Sequence, residues 1–150
     1  MAENYFMDLR STVQRFVKLF GVLENHVTPC GFPLSVSQVY AMQELEKENM
    51  SITELALRLD LERSSVSRLV DDLVKGEFVS RETNAANRRE VVLHLTEKGK
   101  KSIQQVKKQS ILFFQNVLSD YTEEDKTIIL EGFRKFSEAL SRQRGGKHDK

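Results

Sequence analysis

The 150-residue chain has little cysteine, glycine or proline and no excess of charge of one sign. A single cysteine excludes an intramolecular disulfide framework. Seven glycines and two prolines argue against collagen-like repeats and turn-rich β-sandwiches, and they favour a mainly helical protein. A net charge of +1, from 23 basic and 22 acidic residues, excludes a histone-like polycation. Any binding of nucleic acid must therefore depend on where the charges lie.

Long apolar segments are lacking as well. No stretch of the sequence approaches the roughly 18 apolar residues that cross a bilayer. The N terminus has no basic region followed by an apolar run, as a secretory signal would have. We therefore expect a cytoplasmic protein with no membrane contact. With 39% hydrophobic residues the chain can build a core, and its length predicts one domain over residues 1–150.

Apolar residues at helical spacing, with capping residues at several starts, predict six helices. Ser51 with Glu54 fits a capping box, and Gly76 is a typical C-terminal cap for the fourth helix. From Arg142 onward the tail is polar and is expected to fray. The predicted helices cover approximately residues 5–27, 35–47, 51–59, 62–75, 96–118 and 122–142.

Two alternating, β-branched segments at residues 78–81 and 90–95 follow the fourth helix. The polar segment between them predicts a hairpin with a long, exposed tip. A short helix, a tight turn, a second helix and a two-stranded hairpin make up a winged helix-turn-helix, which we expect over residues 35–96. In such a unit the second helix enters the DNA major groove, and the wing reaches the backbone or the minor groove.

The outward face of the fourth helix carries small hydroxyl residues and one arginine. Ser64, Ser65 and Ser67 permit close approach and can donate to phosphates or base edges, and Arg68 is long enough to reach a guanine edge. The same residues would also fit an ordinary solvated helix face. The helix-turn before them and the hairpin after them favour a DNA contact.

Arg88 and Arg89 lie at the predicted wing tip. They favour insertion into a narrow minor groove, where the negative potential is enhanced, over a loop that is merely charged. Residues 51–100 contain nine basic and nine acidic side chains, so this unit alone should bind non-specific DNA weakly. Much of the affinity must then come from two units that dock together.

Phenylalanines are concentrated outside the predicted DNA-binding lobe. Of nine, only Phe78 lies within residues 35–96. Helices this aromatic need a surface to pack against, which is either the core of the same chain or a second chain. We favour a homodimer in which residues 5–27 and 100–142 of two chains intertwine.

Cys30 and its neighbours do not predict a cofactor. No Lys or Arg lies near Cys30 to favour its thiolate, which argues against redox sensing. Glu24, His26 and Cys30 are close in sequence, but a zinc site needs about four ligands, and the positions expected to face them hold no competent one. His94, inside a strand, is expected to be structural. With no nucleophile–base combination and no Gly-rich phosphate loop, we predict no metal and no catalytic residue.

Several motifs are similar to those of the MarR (multiple antibiotic resistance regulator) family, in the same order and at the same spacing. They are LSVSQ (34–38), SITELA (51–56), SSVSRLVDDL (64–73), NRR (87–89) and LHLTEKG (93–99). The resemblance covers essentially the whole chain. One departure is Asn87, where the family usually has an aspartate that can hold the side chain of the wing arginine. Asn87 is expected to hold Arg89 in the same way but more weakly, because it carries no charge.

The resemblance implies a homodimeric winged-helix transcription regulator that binds a pseudo-palindromic operator in double-stranded DNA, often as a repressor. It also implies release by a small-molecule effector that binds between the dimerisation helices and the DNA-binding lobes. Ser64, Ser65, Ser67 and Arg68 would then be recognition-helix contacts, and Arg89 the minor-groove arginine. The alternative is a winged-helix interaction module that binds a protein partner or RNA.

Overall fold

The computed structural model describes residues 2–21, 34–83, 86–87 and 89–145. They form a mainly helical protein with a small sheet, which confirms the expected winged helix-turn-helix with N- and C-terminal helices. The chain divides into two compact units, residues 1–111 and 112–150. The elements are α1 (Ala2–Leu19), α2 (Val36–Lys47), β1 (Met50–Ser51), α3 (Ile52–Leu59), α4 (Arg63–Lys75), β2 (Val79–Thr83), β3 (Val91–Leu95), α5 (Glu97–Val117) and α6 (Glu123–Gly145).

Serine side chains cap the first two helices of the lobe. Ser35 Oγ accepts from the Gln38 N–H at 3.1 Å, and the Ser35 N–H donates to Gln38 Oε1 at 2.9 Å, which completes a capping box. At α3 the predicted capping box is only half formed. Ser51 Oγ accepts from the Glu54 N–H at 3.2 Å, but the Glu54 carboxylate accepts a hydrogen bond from Arg58 Nε instead.

The core of the first unit lies among α2, α3, α4, the sheet and the first part of α5. Each of these elements contributes a fully buried side chain: Met42, Leu55, Leu73, Leu93 and Ile103. Because these helices are amphipathic, each turns one apolar stripe inward and leaves its polar side on the surface. The buried stripe of α4 therefore fixes which of its residues point outward.

The sheet has the order β1-β3-β2, and both pairs are antiparallel. β2 and β3 form the predicted hairpin, with Val79 opposite Leu95 and Thr83 opposite Val91. β1 was not predicted, because two residues carry no recognisable alternation. It connects the hairpin to the helix-turn-helix, since Met50 lies opposite Leu93.

The predicted end of α1 is wrong. The helix ends at Leu19 and does not continue to residue 27, because Gly21 adopts a left-handed φ of 79°. A chain in that conformation cannot continue the helical ladder. Residues 22–33 lie outside the part of the chain that the structure describes.

The predicted fraying of the tail from Arg142 is also wrong for its first residues. α6 continues to Gly145, with Arg142 and Arg144 in its last turn. Arginine is a good helix former, and a positive charge near a C terminus interacts favourably with the helix dipole. Residues 146–150 lie outside the described chain.

The end of α4 differs from the prediction in its capping residue. Gly76 is the cap with an ordinary φ of −77°, and the left-handed residue is Glu77, with φ 64°. The Phe78 N–H donates to the Leu73 carbonyl at 2.9 Å and the Glu77 N–H to the Val74 carbonyl at 3.0 Å, which is a Schellman motif. Gly76 is needed for a different reason, because a Cβ there would lie 2.8 Å from the Phe78 ring.

The base of the wing is joined to the start of α5. Thr96 Oγ1 accepts from the Gly99 N–H at 3.0 Å, and the Thr96 N–H donates to the Phe78 carbonyl at 3.1 Å. A Cβ at Gly99 would lie 2.2 Å from the Phe78 carbonyl oxygen, so only glycine permits this approach. Lys98 donates to the Gly76 carbonyl at 2.8 Å and lies 4.6 Å from the Phe78 ring centre. These contacts fix the root of the wing against the end of α4.

Candidate nucleic-acid interface

The predicted recognition residues lie on α4. Ser64 and Arg68 are exposed, and Ser65 and Ser67 are half-buried. Ser64, Ser67 and Arg68 follow the spacing i, i+3 and i+4, so they share one face of the helix, while Ser65 lies to one side. The helix is held in place from beneath by Val66, which is fully buried. A polar, donor-rich face is thus presented on a rigid support.

The turn before α4 leaves the start of that helix without a side-chain cap. Asp60 ends α3 in a left-handed conformation, with φ 53° and ψ 45°, and redirects the chain. Glu62 is the N-cap of α4 and makes no side-chain capping hydrogen bond. The first-turn N–H groups and the positive end of the helix dipole therefore face outward, an arrangement that favours an anion such as a phosphate.

Asn87 shapes the wing tip through the backbone. Its Oδ1 accepts from the Arg89 N–H at 3.2 Å, and its carbonyl accepts from the Glu90 N–H at 3.0 Å. This is an Asx-type turn. Asn87 was expected to hold the Arg89 side chain, but its hydrogen bond to Arg89 is made to the backbone N–H. Arg89 is exposed, and Arg88 lies outside the described residues.

An ion pair connects α4 to the wing. Arg81 on β2 donates through Nη2 to Asp71 Oδ1 on α4. Asp71 follows Arg68 by three residues and Ser64 by seven, so it lies on the same helix face as these two side chains. Sequence reasoning missed this pair because its partners are separated by a helix end and a strand start.

A second charged cluster connects α2 to α3. Arg58 Nε donates to Glu54 Oε1 at 3.2 Å, Nη1 lies 3.5 Å from Glu44 Oε2, and Nη2 donates to Glu48. These hydrogen bonds raise the pKa of Arg58 above its ordinary value, and the bond that Arg58 donates to Glu48 has the largest effect. The cluster fixes the first helix of the helix-turn-helix against α2. The Glu54–Arg58 pair has the i,i+4 spacing of a helix pair, but the contacts of Arg58 to Glu44 and Glu48 join separate elements and have no signal in the sequence.

His94 is paired across the wing. Its Nε2 lies 3.1 Å from Ser80 Oγ and 3.7 Å from Glu82 Oε1. It also lines an open cleft of about 600 Å³ between the wing, the end of α2 and the start of α5. In that cleft Glu46 accepts from Gln104 at 3.1 Å and pairs with Lys107 at 3.3 Å. The walls are thus hydrogen-bonded to one another.

Glu24, His26 and Cys30 lie outside the described residues, so the structure does not place the zinc or redox candidates. Among the residues that it does describe, no three His, Cys, Asp or Glu side chains come together as a metal site. Within the same ranges, no helix is both long enough and apolar enough to span a bilayer.

Apolar side chains are exposed along the terminal helices. None of the residues of α1 is buried, and Phe6 is 64% exposed. In the second unit, α6 likewise buries none of its residues, and Phe133 is 50% exposed. Several apolar residues exposed along one helix are typical of a surface that contacts another protein.

Comparisons with known proteins place this architecture among transcription regulators. The model of the MarR family matches residues 34–91. The HTH-type transcriptional repressor YetL of Bacillus subtilis (strain 168) is 26% identical over 148 residues, which cover 93% of this chain and 89% of YetL.

Solved structures share the fold. A MarR family protein from Bacillus stearothermophilus matches with a TM-score of 0.73 at 22% identity, over 94% of this chain and 99% of that chain. The PcaV transcriptional regulator of Streptomyces coelicolor, solved with its natural ligand, matches with a TM-score of 0.61 at 16% identity, over 88% and 90% of the two chains.

The sequence match and the fold agree on the same part of the chain. The family model begins just before α2 and ends at the start of β3, so it contains the helix-turn-helix and the first strand of the wing. The likeness in fold extends over the terminal helices as well. Residues 34–91 therefore match the MarR family, whose members are DNA-binding transcription regulators and not enzymes, and the relatives matched along the rest of the chain are transcription regulators as well.

Proposed function

We propose that the chain is a homodimeric repressor that binds a pseudo-palindromic operator through α4 and the wing, and that a small molecule releases it. The observation that carries the proposal is the outer face of α4. It presents Ser64 and Arg68 as exposed side chains beside a wing whose tip bears Arg89.

α4 is the recognition helix of this proposal. Arg68 donates in bidentate fashion to a guanine edge, and Ser64, Ser65 and Ser67 contact phosphates or base edges at close range. The uncapped start of the helix receives a phosphate, because its N–H groups have no side-chain partner at Glu62. Arginine then supplies the sequence information and the helix start supplies the register.

The wing is the second contact. The turn held by Asn87 fixes the backbone at Arg89, so the arginine is presented with little loss of chain entropy. Arg88 and Arg89 enter the minor groove, where a narrow groove concentrates negative potential. This contact positions the lobe along the duplex and reads groove width.

A homodimer brings two such lobes to one site. Residues 35–96 form the DNA-binding lobe, and residues 5–27 and 100–142 form the dimerisation region. The apolar residues exposed on α1 and α6 support this division, because a second chain would bury them. Two recognition helices related by a two-fold axis require an inverted repeat, with half-site centres roughly 10 bp apart.

Repression and release by an effector are supported by relatives. YetL carries the name of a repressor, and PcaV was solved with its natural ligand. We extend both properties to this chain. Because its target is DNA, the proposal places its action in the cytoplasm.

The test is selection of bound sequences from a pool of random DNA duplexes by the purified full chain. We expect an inverted repeat with the spacing given above. Lys101→Ala, which removes an exposed positive charge from α5, is the control and should select the same repeat. A single asymmetric half-site, or equal binding of a structured RNA competitor, would contradict the proposal and favour an interaction module.

A further inference from the structure

We propose that the Asp71–Arg81 ion pair sets the position of the wing relative to α4, so that an acidic residue on the DNA-binding face favours operator binding. The inference rests on the proposed function, since it concerns how α4 and the wing engage one duplex together. Both residues act as positioning residues, and neither is assigned a contact with a base.

The pair lies just beyond the last buried residue of β2. Side chains alternate along a strand, so Val79, Arg81 and Thr83 of β2 point to the same side of the hairpin. Val79 is 2% exposed and belongs to the core. Arg81 is the next residue on that side toward the tip, and its guanidinium reaches Asp71 on α4. The ion pair therefore continues the attachment of β2 to the body of the lobe beyond Val79, the last buried residue of that strand.

The pair is too exposed to be explained by fold stability. The Asp71 side chain is 49% exposed and that of Arg81 is 37% exposed. Ion pairs in such surroundings contribute little to the free energy of unfolding. A weak contact can still bias the position of the outer part of the hairpin, because two strands without further packing are only marginally stable. The effect of the pair should thus appear in DNA binding before it appears in stability.

Asp71 would repel DNA phosphates if its carboxylate were not paired with Arg81. Asp71 shares the face of α4 that carries Ser64 and Arg68, so its bare carboxylate would repel phosphates. Arg81 neutralises that charge and holds the carboxylate toward the wing. Asp72 is the matched comparison: it is the next residue, it is exposed, and the described residues show no hydrogen bond or ion pair to its carboxylate.

These facts give predictions of opposite sign for two neighbouring aspartates. If charge alone decided affinity, both Asp71→Asn and Asp72→Asn would strengthen binding to any duplex. If Asp71 positions the wing, Asp71→Asn weakens binding to the operator but does not weaken binding to unrelated DNA. We expect a loss of about three- to fivefold per half-site, the range of one exposed ion pair.

The experiment measures the affinity of full-length variants for two probes at one salt concentration. The probes are the duplex that the wild-type chain selects from a random pool and a scrambled duplex of the same length. We expect Asp71→Asn to lower only the affinity for the selected duplex. Arg81→Gln leaves the Asp71 carboxylate bare, so it should lower the affinity for both duplexes but more for the selected one, and the double variant should be no weaker than Arg81→Gln. Asp72→Asn should leave that affinity equal or higher. Exchange of the two charges, Asp71→Arg with Arg81→Asp, should restore part of the loss.

Protection of the selected duplex from hydroxyl radicals shows where each part of the protein contacts DNA, and a change in the stability of the fold alone would not alter that pattern. Asp71→Asn should weaken protection where the wing lies and preserve it where α4 lies, with an unchanged thermal midpoint of unfolding. Tighter or equal binding of Asp71→Asn to the selected duplex would overturn the inference. Equal weakening of both probes by Arg81→Gln would also overturn it, since Arg81 would then contact phosphate directly. If the wild-type chain selects no duplex, the proposed function itself fails.

Discussion

The lobe from α2 to β3 and the terminal helices α1 and α6 differ in how far they bury their apolar residues. The lobe turns side chains such as Met42, Leu55 and Leu73 fully inward. None of the residues of α1 or α6 is buried, although both helices carry phenylalanines. The lobe therefore forms a closed core together with the first part of α5, whereas α1 and α6 leave apolar side chains exposed. In the proposed function the lobe binds DNA and the terminal helices assemble the dimer, so variants in the two regions should fail differently.

Variants in the terminal helices should give the largest effect. Phe16→Glu combined with Phe133→Glu places charge on both helices, and each buried phenylalanine is worth about 1.5–3 kcal/mol. We expect dissociation of the dimer, measured by sedimentation, together with loss of operator binding at micromolar protein. Glu138→Lys, which changes an exposed charge on the opposite face of α6, is the control and should remain dimeric. A stable folded monomer formed by the wild-type chain would remove the distinction between the two regions.

Truncation inside the lobe should give the next largest effect. Leu73→Ala empties a fully buried site and should destabilise the fold by about 2–5 kcal/mol. Denaturant unfolding measures this loss. Leu57→Ala is the matched control, because Leu57 is 73% exposed and its truncation should change stability by less than about 0.5 kcal/mol. Equal losses for both variants would mean that the lobe does not bury its leucines as described.

Arg68→Ala should leave fold and assembly intact and weaken operator binding by about 1–3 kcal/mol per contact. The selected sequence should also lose its preference at one position in each half-site. Arg68→Lys keeps the charge and loses the bidentate geometry, so it should show the same relaxed preference with a smaller loss of affinity. If affinity fell equally for every sequence, Arg68 would be a phosphate contact.

The smallest effect is expected at the wing tip. Asn87→Asp keeps an oxygen that accepts from the Arg89 N–H and should change operator affinity by less than about tenfold, roughly 1.4 kcal/mol. Asn87→Ala removes that acceptor and should cost more than Asn87→Asp, and Arg89→Ala more than either. Fluorescence anisotropy with the selected duplex ranks the three variants. Loss of binding in Asn87→Asp with none in Arg89→Ala would show that the wing does not dock in this way.

The helices of the lobe could be predicted because each signal is local. Ser35 and Ser51 cap the helices that their spacing indicates, and the apolar stripe of α4 fixes its outward face. Helix ends were less predictable. Gly76 is the residue type expected for a left-handed cap, yet Glu77 takes that conformation, and the absence of a Cβ at Gly76 instead leaves room for the Phe78 ring. Contacts of this kind depend on residues that the fold brings together.

In the candidate site, too, local features could be predicted and contacts between separate elements could not. The serines and Arg68 follow one another on a single helix, so their common surface could be read from spacing. The Asp71–Arg81 pair and the contacts of Arg58 to Glu44 and Glu48 join separate elements, and a charge count along the sequence does not show which charges meet. The backbone contact of Asn87 depends on the turn conformation, which residue type alone does not determine.

The central claim is that two lobes read one inverted repeat, and titration of two duplexes with the wild-type chain tests it most directly. One duplex is the selected repeat, and the other is the same duplex with one half-site scrambled. Because the charges of a single lobe are balanced, we predict that two chains bind the intact repeat and that scrambling one half-site weakens binding by about a hundredfold or more. Equal affinity for both duplexes, with one chain bound to each, would contradict the claim.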